Sequence, residues 1–144
     1  MRIAEILHRK GSTVHTISAV KTVAIAVQKL VELRIGALVV TDRRGRLVGT
    51  LSERDIVHGL GRYGEKILAY SISEVMDQDV ITCESNDRID KVMELMTVHR
   101  LRHIPVIEGN RFIGVVRIGD LVKHRLEEKE QEANVLRDLS AMHA

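Results

Sequence analysis

The sequence predicts an α+β fold: two pseudo-symmetric β-α-β-β-α repeats packed as one module. Three observations predict it. Residues 14–60 and 80–126 are one unit written twice. Each copy sets a helical apolar stripe among short β-rich runs. Each also breaks its β-rich stretch with a glycine-containing turn. With Thr16 set against Thr82, Val23 falls on Ile89, Ala26 on Val92, Val27 on Met93, Leu30 on Met96 and Val40 on Val106. Gly45 has no counterpart. Beyond it Gly49 meets Gly114, Asp55 meets Asp120 and Val57 meets Val122. A repeat this long is not a solenoid period. Two copies related by a pseudo-dyad leave a cleft between them, where a small ligand can sit.

The elements follow in order. A short first strand is expected at 14–17 and 80–83, then a helix at 22–34 and 87–100. In the second helix Ile89, Val92, Met93 and Met96 recur at i, i+3, i+4 and i+7, which marks one buried face. The β-rich runs 37–40 and 104–107 suit strands covered on both faces. Pro105 has no N–H to give, so its strand must start at an edge or at a break in pairing. Turns at 42–45 and 108–110 lead to third strands at 47–51 and 112–116, and second helices start near Glu53 and Ile118. Ahead of the copies, Ile3, Ile6 and Leu7 form one helical face, and Val75 and Met76 suggest another at 72–77. The expected organisation is a first repeat at 8–65, with helix 2–10 packed on the module, and a second at 73–126. A polar helical extension follows at 127–144. Its sparse stripe of Leu126, Ala133, Leu136 and Leu139 fits either a solvated tail or a helix packing on another subunit.

Composition narrows the function. The chain has 144 residues, 44% hydrophobic and 29% charged, which suits a globular protein. It has no Trp and one Phe, so exposed aromatic platforms for single-stranded nucleic acid are not expected. A net charge of +2 gives no basic footprint for duplexes. No run approaches a membrane span and no signal peptide opens the chain, so a cytoplasmic location is expected. The single cysteine, Cys83, excludes an internal disulfide. It aligns with Ile17 and reads as a small buried residue rather than a nucleophile. His99 and His103 are four apart, but the pattern puts one at a helix end and the other on a strand. No metal site and no catalytic constellation are expected.

The chemistry-bearing residues lie where a strand runs into a helix. Ser52-x-x-Asp55 admits two compatible readings. It is a capping box, in which Ser caps the helix and the acid reaches back. It is also a place where a helix start, the Ser52 hydroxyl and the Arg54 fork can hold an anion. In the second copy Arg117 replaces Ser52, yet Asp120 persists. An aspartate without its capping partner then calls for another reason, of which stabilisation of the helix dipole is a modest one.

The runs Gly49-Thr50-Leu51-Ser52-Glu53-Arg54-Asp55 and Gly114-Val115-Val116-Arg117-Ile118-Gly119-Asp120 resemble the ends of two CBS domains (cystathionine β-synthase domains). The order strand–helix–strand–strand–helix and the run Arg102-His103-Ile104-Pro105-Val106 resemble the same family. The tandem arrangement is similar to a CBS pair, or Bateman module, over residues 1–126, of the small stand-alone bacterial kind. That resemblance implies a regulatory module without enzymatic activity, binding AMP, ADP, ATP or related adenosyl ligands, including NAD(H), between the copies. It also implies homodimers through the CBS helices and a regulated protein partner. Beside it stands a physical reading of the residues: Asp55 can accept from ribose hydroxyls, and Ser52 and Arg54 can hold phosphate. The strand starts at Thr16–Ile17 and at Gly36, Ala37 and Leu38 can supply an adenine slot, as can Thr82, Cys83, His103, Ile104 and Pro105. The His103 ring can lie near phosphate or base, and Arg102 belongs to the same nucleotide-binding set. Arg117 departs from the Ser or Thr common there. It either strengthens phosphate binding beside Asp120 or fills the pocket, so the two sites are expected to be inequivalent, with the Ser52/Asp55 one the more conventional. The alternatives are a ligand-free scaffold working through its C-terminal helix and, third, a small enzyme using Cys83 or His103.

Overall fold

A computed structural model describes residues 1–10 and 15–142. In chain order they form α1 (Ile3–Lys10), β1 (Thr16–Ser18), α2 (Val23–Leu33), β2 (Ala37–Thr41), β3 (Leu47–Ser52) and α3 (Glu53–Tyr63). A 3-10 segment (Gly64–Ala69) and the single turn α4 (Ile72–Val75) lead to β4 (Cys83–Glu84), α5 (Ile89–His99), β5 (His103–Glu108), β6 (Arg111–Arg117) and α6 (Ile118–Met142). Each copy builds one three-stranded sheet, β1-β2-β3 and β4-β5-β6. The middle strand runs parallel to the first and antiparallel to the third.

The registers repeat. Ile17 sits beside Val40 as Cys83 sits beside Val106. Both hairpins shift register just before their turns, at Val40/Thr41 and at Val106/Ile107. The extra residue of the first copy is absorbed in the turn, where Gly45 takes φ 76° and the Asp42 carboxylate accepts from the N–H groups of Arg44 and Arg46 at 2.8 and 3.0 Å. Both first helices end on a non-glycine left-handed residue, Arg34 and Arg100, each at φ 54°.

The first strands differ from expectation. Val14 lies outside the described residues, and β1 runs on to Ser18. In the second copy 80–82 are not in a strand, and β4 holds only Cys83 and Glu84. The reason is Pro105. Where Thr16 pairs with Val39 in the first copy, Thr82 faces a proline that cannot donate, so pairing of β4 begins one step later, at Val106. Although β5 is the central strand, its proline thus falls at a break in pairing.

Two cores form, and each borrows a helix. Ile17, Val23, Ala26, Leu30, Leu38, Val40, Leu51 and Ile56 close with Ile67 and Ile72. Cys83, Ile89, Val92, Met96, Ile104, Val106, Val116 and Leu121 close with Ile3 and Ile6. The helix preceding each copy therefore packs into the other. Backbone bonds repeat the exchange. Ile72 and Ser73 donate to Lys21 and Ala19 at 2.8 and 3.1 Å, as Ile3 and Ala4 donate to Asp87 and Ser85 at 3.0 and 2.9 Å.

The copies differ where α3 and α6 meet these helices. A Cβ built at buried Gly59 would lie 1.8 Å from Cδ1 of Ile67, so glycine there admits the 3-10 segment. The second copy places His124 at the matching position, and that side chain is 5% exposed. The 127–142 part of α6 continues the helix without a break, and Leu126, Leu136 and Leu139 of its stripe are exposed.

Candidate functional site at the strand ends

In each copy the third strand passes directly into a helix, and the first helical N–H is tied to the residue ahead of the middle strand. Glu53 donates to the Gly36 carbonyl at 2.9 Å and Ile118 to the Arg102 carbonyl at 2.8 Å. Ala37 pairs with Ser52 as His103 pairs with Arg117. Gly36, Ala37 and Ser52 are thus matched, position by position, by Arg102, His103 and Arg117.

At the first strand end the capping box is complete. The Ser52 N–H and hydroxyl donate to Asp55 Oδ2 at 2.8 and 3.0 Å, and the Asp55 N–H donates to Ser52 Oγ at 3.1 Å. All the bonds that Asp55 accepts here fall on Oδ2, and Oδ1 takes none of them. At the second end the Arg117 N–H donates to Asp120 Oδ2 at 3.1 Å. That corrects the sequence argument about Asp120. The acid reaches back to the cap backbone whether or not a serine is present, so half of the box survives the change to arginine.

The other expected residues divide by burial. Leu38, Cys83 and Ile104 are core side chains, at most 3% exposed, and Pro105 is buried beside them. What these positions can offer a ligand is backbone. Burial, followed by the nearby Asp87 and Glu84 charges, pushes the Cys83 thiol up to about 12, so it carries no thiolate at neutral pH. The Thr16 carbonyl accepts from Lys29 Nζ. Arg54, Arg102, His103 and Arg117 are exposed, as is Gly36. The Glu53 carboxylate stands 4.0 Å from where a Gly36 Cβ would be. Thr82 lies apart from both strand ends, in an open cavity of about 450 Å³ between the hairpin tips, with Arg46, Gln78, Val80, Ile107 and Asn110. Sequence reasoning missed Arg46, Gln78 and Asn110, because turn residues of different copies meet only through the pseudo-dyad. A second open cavity, about 710 Å³, runs between α2 and α3 along Val27, Val31, Ile56 and Val57.

The His103 pKa is held below its ordinary 6.5, first by partial desolvation and then by the Arg117 charge on the paired strand. The sign follows. The folded chain takes up this proton less readily than the unfolded chain, so stability falls as pH drops through about 6.5 and levels off below the folded pKa. In Arg117→Ala the His103 titration, followed by its ring resonances, is expected to move toward higher pH. An unchanged midpoint would show that Arg117 does not act on it.

Among the described residues, no three His, Cys, Asp or Glu side chains converge to hold a metal ion. No described helix is long and apolar enough to cross a membrane.

Comparison with known proteins agrees with this architecture. A family model for the CBS domain matches residues 3–62 and 72–127. The mitochondrial CBS domain-containing protein CBSX3 of Arabidopsis thaliana is 33% identical over 77% of the chain, which spans 56% of that relative's length. YhcV of Bacillus subtilis, a CBS domain-containing protein, is 28% identical over 88% of this chain and 89% of its own. The crystal structure of ATU1752 from Agrobacterium tumefaciens, a CBS-domain containing protein, matches with a TM-score of 0.79 and 38% identity. That match covers 87% of this chain and 99% of that one. The CBS domain pair of MJ0100, solved with 5′-methylthioadenosine and S-adenosyl-L-methionine, shares the fold at TM-score 0.75 and 23% identity, over 89% of this chain and 98% of its own. The doubled sheet, the exchanged helices and the two family matches lead to one conclusion: the chain belongs to the CBS domain family and carries two of its domains in tandem.

Proposed function

We propose that this CBS pair is a regulatory module that binds an adenosine nucleotide, AMP, ADP, ATP or NAD(H), between its copies. Residues 8–65 and 73–126 form its halves, and it signals in the cytoplasm to a protein partner. The observation that carries the reading is the pair Asp55 and Asp120. Each is a carboxylate at the start of the helix after the third strand, held from one side by its own cap backbone. A carboxylate so placed can accept from two adjacent hydroxyls of a ribose. The adenosyl ligands carried by the MJ0100 pair agree with that ligand class. A homodimer through the helices fits the α2–α3 groove, where Val31 and Val57 are 71% and 64% exposed. Ligand binding regulates only if it favours one state of that dimer over another.

The test is thermal unfolding with AMP, ADP, ATP, NAD or S-adenosylmethionine at millimolar concentration. A ligand at one hundred times its dissociation constant adds about 2.7 kcal/mol. Asp55→Asn keeps an acceptor for the cap N–H and removes the charge. It is expected to lower the ligand-induced shift while leaving the ligand-free transition nearly in place. No shift with any of the five ligands would overturn the reading. A second reading, a ligand-free scaffold, draws on the exposed leucines of α6. It predicts that removing 127–144 abolishes partner capture while nucleotides change nothing.

A further inference from the structure

The last helix outruns its module. The CBS match ends at residue 127, while α6 continues unbroken to Met142. Every side chain from Lys129 to Met142 is exposed, so nothing in the described chain packs on this stretch. A helical segment of that length is marginal in water on its own, and most helices are held by packing of an apolar face. Such a face is present. A heptad repeat places Leu126, Ala133 and Ser140 at its a positions and Val122, Lys129 and Leu136 at its d positions. Leu126 and Leu136 are 63% and 67% exposed.

The flanks of that seam select its occupant. Arg125, Glu132 and Leu139 stand at g, and Lys123, Glu130 and Arg137 at e. In a parallel pair each g residue meets the e residue of the next heptad in the other helix. Arg125 then meets Glu130, and Glu132 meets Arg137, opposite charges in both cases, and symmetry makes each contact twice. An antiparallel pair that sets Leu126 against Leu136 brings Glu130 beside Glu130 and Glu132 beside Glu132, which repel. Among the described residues, Glu130, Glu132 and Arg137 have no ion-pair partner within the chain. The Arg125 charge also acts on Asp90 of α5, so the second pair is the cleaner one.

We propose that α6 pairs with α6 of a second copy as a parallel two-stranded coiled coil, seamed by Val122, Leu126, Ala133 and Leu136 and oriented by the Glu132–Arg137 contact. This goes beyond the nucleotide reading and is independent of it. It also uses a different surface from the α2–α3 groove. Lys129 takes the one charged seam position. Its stem can lie along the seam with the ammonium in water, and a lone charged seam residue fixes register at a cost in stability. Two modules then leave the coil from the same end, with their second copies side by side.

The test is disulfide trapping in the full chain. Cys83 is buried, so an introduced surface cysteine is the reactive one. Ser140→Cys lies on the seam and faces its own counterpart in the parallel pair. In the antiparallel arrangement the two thiols would stand about 27 Å apart along the helices. Gln131→Cys, on the outer face of the helix, is the control. Mild oxidation is expected to turn Ser140→Cys, and not Gln131→Cys, into a covalent dimer on a non-reducing gel. Adding Glu132→Arg sets guanidinium against guanidinium and is expected to slow trapping about tenfold. Adding Arg137→Glu as well restores opposite charges in swapped order, and with them the rate. Trapping that is absent at Ser140→Cys, equal at both positions or indifferent to Glu132→Arg overturns the pairing. So does slowing that Arg137→Glu fails to relieve. All these changes fall on exposed side chains, and an unaltered thermal transition of the reduced chain checks the fold. The nucleotide reading has its own thermal shifts, which none of these outcomes touches.

Discussion

Ile3→Ala is expected to destabilise the protein by about 2–5 kcal/mol, the cost of truncating a fully buried aliphatic side chain and leaving a cavity. Ile3 is 0% exposed and lies in the core of the second copy with Ile6, Cys83 and Val92, and its N–H donates to Asp87 across the module. The matching change in the other half is Ile72→Ala, since Ile72 enters the first core in the same way. The two penalties are expected to be alike, and urea denaturation with a two-state fit measures both. A loss under about 0.5 kcal/mol for Ile3→Ala, the level of an ordinary surface change, would mean that α1 is not part of the second core. Because each half is closed by the helix that precedes the other, a single transition is expected in every case, with no separate melting of the copies.

Most of this architecture is legible in the sequence, and the reason is periodicity. The faces Val23/Ala26/Leu30 and Ile89/Val92/Met96 are buried as their spacing requires. The helix starts at Glu53 and Ile118 follow from strands that end on a capping residue or its substitute. The short first strands were harder, because two or three residues carry too little pattern to fix their limits, and Pro105 cuts the pairing from the opposite strand. The exchange of α1 and α4 was not legible at all. An amphipathic turn such as Ile3, Ile6 and Leu7 records that a face is covered, not which copy covers it.

The strand ends repeat that division. Ser52 and Asp55 can be found by their spacing, and the capping box it predicts is present. The alignment shows the change from Ser52 to Arg117, but the replacement of Gly36 and Ala37 by Arg102 and His103 gains meaning only once the register brings them beside it. Charges twelve or more residues apart in sequence become one patch on adjacent strands. The cavity at Arg46, Thr82 and Asn110 was hidden for a related reason, since neither hairpin tip carries a signal for the other.

Gly49→Ala and Gly114→Ala occupy matched positions and are expected to differ sharply. Both glycines let a borrowed helix approach its sheet. At Gly49 an added Cβ would meet Met76 Sδ at 2.7 Å and the Asp77 carbonyl oxygen at 2.8 Å. The thioether can swing away, but the carbonyl cannot. It accepts from the Thr50 N–H at 3.0 Å, and Asp77 returns a bond to the Thr50 carbonyl at 2.9 Å. Relieving the clash therefore breaks the bridge that pins α4 to the first sheet. At Gly114 the nearest atom is Leu7 Cδ2 at 3.0 Å, the free end of a flexible side chain, which a change of rotamer can move. Alanine in a strand otherwise gains about 0.5–1 kcal/mol over glycine by restricting the unfolded chain. The expected result is a loss of about 1–3 kcal/mol for Gly49→Ala and a change within about 1 kcal/mol of zero for Gly114→Ala. Combining Gly49→Ala with Met76→Ala separates the two obstacles. If the thioether alone were responsible, the second change would restore the stability lost to the first. With the Asp77 carbonyl as the main obstacle, the losses are expected to accumulate, and restoration would refute the backbone explanation.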